Sequence, residues 1–275
     1  TPVATAAPIG RPKSQDPLAA VARLFAAFSF AGFVAICACS GPSGEQRAKG
    51  AEIHYDLGTN AMNEGNAQGA LAEYLAAQSD DPDIPQVHNA LGLLYGFSFD
   101  RPVEAEQQFR KAVELQKDFS EAYNNYGAFL LQRGRYAEAI SLFEKALGNP
   151  LYAGRAIAES NLGWALYKTG SADRGIGRIR SALMVAPKYC KGWRQLGTIY
   201  ADTNKLDKAA EAFARYAAEC PVVADAWLQQ AKVLTRLSRA GEARTAFQRC
   251  AEVGKGKDAA VVDECARSLR EMASP

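Results

Sequence analysis

Apolar positions recur with a helical period through most of this chain. From about Ala51 to Lys257 they fall at i, i+3, i+4 and i+7, in short stretches broken by polar or glycine-containing turns. That period predicts amphipathic helices, and the brevity of the turns predicts that successive helices run antiparallel. The helix pairs belong to a longer unit that is copied along the chain. A Leu-Gly step or its equivalent marks it at Leu57-Gly58, Leu91-Gly92, Tyr126-Gly127, Leu162-Gly163 and Leu196-Gly197, with Gln230-Ala231 in phase. The steps are 34, 35, 36, 34 and 34 residues. A fixed period of this size predicts a solenoid of stacked units, because one helix pair cannot bury its own apolar face.

The unit has further fixed positions. Three residues before each Leu-like position stands His54, His88, Tyr123, Glu159, Trp193 or Trp227. Later in each unit a small residue is followed four on by a large one: Ala70/Tyr74, Ala105/Phe109, Ala139/Phe143, Gly175/Ile179, Ala209/Phe213 and Ala243/Phe247. Pro82, Pro187 and Pro221 close three units in register, where proline stops the second helix. Small residues let the two helices approach, and the large one fills the hole they leave.

With these positions occupied, the chain resembles the tetratricopeptide repeat (TPR) family over six units, at about 51–84, 85–119, 120–155, 156–189, 190–223 and 224–257. The resemblance implies an all-α fold: a right-handed superhelix of six helix pairs. Asp258 to Met272 reads as a polar capping helix, within a cap and tail at 258–275. Two departures stand out. The turn from Gly96 to Pro102 carries an extra residue. Repeat 4 has Glu159 where a large ring is usual, Gly175 and Ile179 in its second helix, and a longer junction before it, so it is expected to be the loose joint.

The N-terminal region follows a different pattern. Arg11, Lys13 and Arg23 precede an uncharged apolar run from Leu24 to Ile36, and Cys37-Ala38-Cys39-Ser40 follows. A basic flank, a short apolar segment and a small residue predict an export signal. The cysteine after the small residue resembles a bacterial lipoprotein signal, with cleavage before Cys39. The expectation is a signal peptide at 1–38, a Cys39 carrying N-acyl and S-diacylglycerol lipid, and a flexible tether at 39–50. A transmembrane helix needs about 20 apolar residues, more than this run has. Cys37 as the lipidated residue places bulky Ile36 at the cut.

Charge narrows the function. The whole chain is +2. Residues 1–38 hold Arg11, Lys13 and Arg23 against Asp16, so the remainder is near neutral. A near-neutral array lacks the basic stripe of a nucleic-acid binder. No catalytic constellation is legible, which points to a binding protein rather than an enzyme. The only histidines, His54 and His88, share one repeat position and read as packing side chains. No cofactor and no metal site are expected beyond the lipid.

Cys190, Cys220, Cys250 and Cys265 all lie in the C-terminal third. In an exported chain an even number suggests disulfides. Cys190 opens the first helix of repeat 5 and Cys220 lies just past its second helix, two ends that antiparallel packing brings together. Cys250 lies late in repeat 6 and Cys265 midway along the next helix. The expected pairs are Cys190–Cys220 and Cys250–Cys265; the alternative is four buried free thiols.

In the TPR fold the first helices line the concave face. The positions the resemblance implies are Tyr55, Met62, Asn63, Asn89, Leu93, Phe97, Asn124, Leu131, Gln132, Ser160, Trp164, Tyr167 and Lys168. They form an aromatic, aliphatic and amide-rich groove, a protein-binding signature if exposed. The alternative is partial burial between helices. The C-terminal part is charged: Lys191, Arg194, Asp202, Asp225, Lys232 and Arg236. The carboxylate clamp of chaperone-binding TPR domains is not matched. Its positions read Tyr55, Thr59, Ala90, Glu121 and Asn125, without a cation.

An export signal, Cys39 and six TPR units together resemble the type IV pilus pilotins, the PilF/PilW/Tgl family, with Tgl nearest in its six repeats and late cysteines. The resemblance implies an outer-membrane lipoprotein facing the periplasm. Its implied partner is the secretin of the pilus machine, which it helps to localise and assemble into a ring. The rival expectation is a TPR lipoprotein scaffold for outer-membrane protein insertion or cell-wall hydrolases.

Overall fold

The computed structural model describes residues 43–273. Cys39, the export signal and the apolar run lie outside the described residues. Within them the chain folds into thirteen α-helices. Six antiparallel pairs follow one another: α1 (Gly44–Asn63) with α2 (Ala67–Asp80), α3 (Pro85–Leu93) with α4 (Pro102–Leu115), α5 (Ser120–Gln132) with α6 (Tyr136–Leu147), α7 (Arg155–Lys168) with α8 (Ala172–Val185), α9 (Cys190–Asp202) with α10 (Leu206–Glu219), and α11 (Ala224–Arg236) with α12 (Ala240–Val253). The capping helix α13 (Ala259–Glu271) packs on α12 and α11.

Four of the six pairs are locked by a ring at the marked glycine. A Cβ on Gly58 would stand 2.6 Å from Tyr74, one on Gly92 2.7 Å from Phe109, one on Gly127 2.7 Å from Phe143 and one on Gly197 2.5 Å from Phe213. The missing side chain is what seats the ring of the second helix, and Phe109 and Phe143 are fully buried there. The turns inside the pairs need a left-handed residue. Gly65, Gly134 and Gly170 supply it in three repeats, while Asp100, Asn204 and Ser238 adopt it in the others at some steric cost.

Three expectations change. Residues 44–50 are not a tether but the start of α1. Ser43 and Gln46 form a reciprocal capping box there, each side chain satisfying the other's backbone N–H. The extra residue of repeat 2, expected in the turn from Gly96 to Pro102, is taken up by a single π-helical turn over Leu94–Ser98 that continues α3. Repeat 4 is not loose. α7 and α8 pack more closely than any other pair, because a Cβ on Gly163 would lie 2.6 Å from the Gly175 carbonyl oxygen. Glu159 is buried there and receives Arg178 Nη1 at 3.2 Å.

Position 4 of the repeat has a structural task. Trp193 Nε1 donates to the Pro187 carbonyl at 2.7 Å, Trp227 Nε1 to that of Pro221 at 2.9 Å, and His88 Nε2 to that of Pro82 at 2.7 Å. Each bond ties a first helix to the end of the preceding repeat. His54, in the first repeat, instead meets Glu73 at 2.7 Å.

Both disulfides are present. Cys190 and Cys220 have Cα atoms 6.0 Å apart, and Cys250 and Cys265 6.3 Å. The first closes repeat 5 across its open end, and the second fastens the cap.

Candidate functional site

Neighbouring first helices touch along the array: α3 with α5, α5 with α7, α7 with α9. Their second helices stand further apart, so the first helices line the inner side of the curve. A ladder of side-chain bonds runs along this side. Position 6 of one repeat meets position 5 of the repeat before it. Asn125 Nδ2 donates to Asn89 Oδ1 at 3.2 Å, and Asn161 Nδ2 to Asn124 Oδ1 at 3.4 Å. Ser160 Oγ donates to Gln195 Oε1 at 2.6 Å. Lys191 Nζ extends the ladder to Asn161 Oδ1 at 3.1 Å, and burial pushes its ammonium below the usual lysine range.

Asn89, Asn124 and Ser160 are therefore buried and bonded to the next repeat. They hold the surface in shape rather than offering themselves to a ligand. The sequence carries a clue in the amides at positions 5 and 6 of successive units. Asn125, Asn161 and Gln195 escape a sequence reading because they meet their partners only once the repeats stack.

What the inner face exposes is apolar at the N-terminal end. Met62 is 37% and Phe97 46% exposed. Phe97 stands edge-on to buried Phe129, ring centres 6.4 Å apart, so it is a supported and not a waving ring. Leu93 and Leu131 are half-buried against the core, Tyr55 leans on Tyr74 at 5.8 Å, and Asn63 and Gln132 are exposed at the rim. Further along, Trp164 and Tyr167 meet at 5.1 Å, and Lys168 Nζ lies 5.2 Å above the indole. Tyr167 donates to Asp202 at 2.5 Å, and that bond, with burial adding, raises its phenol to about 12.

The charged C-terminal end is largely spoken for. Arg194 pairs with Asp225 at 2.7 Å, Lys232 with Glu264 at 2.6 Å, and Arg236 donates to the Ala201 carbonyl at 3.2 Å. Arg194 and Lys232 are thus ion-paired within the array, and Arg236 is held by a backbone carbonyl.

Among the described residues no group of three or more His, Cys, Asp or Glu side chains is placed to hold a metal ion. Nor is any helix among them long and apolar enough to cross a membrane.

Comparison with known proteins agrees with this geometry. The tetratricopeptide repeat family matches residues 99–156, 160–223 and 194–258. The chain belongs to that family. Among individual proteins it is 29% identical over 117 residues to the type IV pilus assembly protein PilF of Pseudomonas aeruginosa, which is 42% of this chain and 46% of PilF. It is 28% identical over 188 residues to FlbA of Caulobacter vibrioides, covering 67% of this chain and 31% of FlbA. The matched segments thus span less than half of either relative. Among solved structures, PilW, a type IV pilus biogenesis factor, superposes with a TM-score of 0.71 at 24% identity over 78% of this chain and 98% of PilW. The structure of Pseudomonas aeruginosa PilF gives 0.68 at 19% identity, over 81% and 99%. At these identities the structural likeness is one of fold.

Proposed function

We propose that this protein is an assembly factor of a type IV pilus machine. It binds an outer-membrane secretin subunit on the inner face of repeats 1 to 3 and promotes its localisation and ring assembly. The observation that carries the reading is the sequence likeness to PilF, together with exposed Met62 and Phe97 and half-buried Leu93 and Leu131 on a scaffold braced by the asparagine ladder. Apolar anchors held in place bind at low entropic cost.

On this reading Cys39 carries the lipid that holds the protein to the outer membrane, facing the periplasm. The apolar run ending at Ala38-Cys39-Ser40 supports that assignment. Six helix pairs and two late disulfides support placing it with the Tgl branch.

The test is removal of the protein from its cell. The secretin is then expected to persist as monomer and to lose its heat-resistant multimer, and Cys39→Ala is expected to reproduce the defect with the protein released from the membrane. Unchanged secretin multimers in the deletion strain contradict the role; an unmodified Cys39 in the membrane-bound protein contradicts the anchor.

A further inference from the structure

The second helices form the other surface, and repeats 4 and 5 leave a gap in it. A groove of about 950 Å³ lies between α8 and α10, with α9 as its floor. Leu183, Trp193, Leu196 and Tyr200 line the bottom, and Ala212, Ala214 and Ala218 keep the α10 wall low. On the α8 wall Met184 is 85% exposed. The lining of α10 runs from Lys208 to Ala218, about 15 Å at 1.5 Å per residue, the length of nearly three helical turns.

The rim is basic. Arg180 stands on one wall, and Lys208 and Arg215 on the other, with Glu211 between them the single carboxylate. Other cations near this face are engaged in part: Arg178 with Glu159, Lys205 with Asp173. Arg180, Lys208 and Arg215 make no ion pair among the described residues. An apolar trough flanked on both sides by unpaired cations matches a ligand that is apolar along one stripe and acidic on both shoulders.

We propose that this outer groove is a second docking site, which takes an acidic amphipathic helix of a partner protein. The occupant lies between α8 and α10 with its apolar stripe on Leu183, Met184 and Tyr200, and its carboxylates reach Arg180 on one side and Lys208 and Arg215 on the other. The site is independent of the inner face, so the scaffold can hold two segments at once.

The experiment uses the full chain and two labelled helical peptides of about fifteen residues. Both carry leucine at i, i+3, i+4 and i+7; one has glutamate on the shoulders, the other lysine. By fluorescence anisotropy the glutamate peptide is expected to bind about tenfold or more tightly than the lysine peptide, and to weaken as salt rises from about 50 to about 500 mM. Met184→Glu, and Arg180→Glu with Arg215→Glu, should each weaken it about tenfold. The melting temperature should hold, since these side chains are exposed and make no ion pair. Phe97→Glu on the inner face should leave peptide binding unchanged. Equal binding of the two peptides overturns the proposal, as does indifference to the groove variants. Two other occupants also overturn it. Flotation with phosphatidylglycerol vesicles through Arg180 and Arg215, without peptide binding, assigns the groove to lipid. A dimer in ultracentrifugation that Met184→Glu dissolves assigns it to a second copy.

Discussion

Gly163 and Gly175 face each other across the helix pair of repeat 4, so closely that a Cβ on either would run into the other's carbonyl oxygen, at 2.6 Å and 2.5 Å. The repeat that departs most from the pattern in sequence is thereby the most tightly joined. Gly175→Ala must push α7 and α8 apart and is expected to lower stability by about 1–3 kcal/mol. Gly177, two residues on, faces open space: nothing lies within 4 Å of where its Cβ would stand. Gly177→Ala should therefore stabilise by about 0.5–1 kcal/mol through helix propensity. Thermal unfolding of the two variants gives shifts of opposite sign. Equal shifts would mean that the close approach is absent.

The disulfides protect the C-terminal repeats. Loop closure over separations of 30 and 15 residues is worth about 3.6 and about 3 kcal/mol respectively at 25 °C by chain entropy. Replacing Cys190 and Cys220 by serine should therefore lower the unfolding midpoint more than replacing Cys250 and Cys265. Hydrogen exchange should show the loss in repeats 5 and 6 first. Peptide mapping without reductant should recover the Cys190–Cys220 and Cys250–Cys265 links; a Cys220–Cys250 link contradicts the helix register.

Acid should loosen the joint between repeats 2 and 3. Arg135 binds Glu106 through two nitrogens, with Tyr126 Oη donating to the same carboxylate at 2.9 Å. The hydrogen bond from Arg135, chiefly, holds Glu106 below the ordinary carboxylate range. A carboxylate depressed in the folded state contributes stability above its unfolded pKa and loses it as pH falls through the folded one. Glu106→Gln is expected to cost about 1–2 kcal/mol at neutral pH and to flatten the acid limb of the stability–pH curve. An unchanged acid limb would show that Glu106 does not couple folding to pH.

Much of the array is legible in the sequence because each repeat marker has a steric cause. Gly58, Gly92, Gly127 and Gly197 recur since a ring must sit where a Cβ would be. The late cysteines can be paired because helix ends fall at known places in the unit. Other features depend on atoms that meet only after folding. The start of α1 is hidden by the glycines and proline of Ser40 to Gly50, although Ser43 and Gln46 carry the capping spacing. Gly163 and Gly175 read as weakness because glycine lowers helix propensity; its value in close packing appears only when the helices are paired. Of the groove, Phe97 and Met62 are exposed where the pattern puts them, while Asn89 and Asn124 are consumed by the ladder. Periodicity assigns a residue to a face, but not whether a neighbouring repeat already holds it.

Secretin binding on the inner face is tested most directly by calorimetry with the purified full chain and the purified secretin. The proteins compared are the wild type, Phe97→Glu, Leu131→Glu, and Arg194→Ala with Lys232→Ala. Truncating or charging a central apolar anchor typically costs about 2 kcal/mol or more, about a thirtyfold loss of affinity. That loss is expected for each of the first two variants, with helicity retained, and near-wild-type binding for the third. Full binding by Phe97→Glu and Leu131→Glu, with loss in the Arg194 and Lys232 variant, would contradict the assignment and place the partner at the C-terminal end.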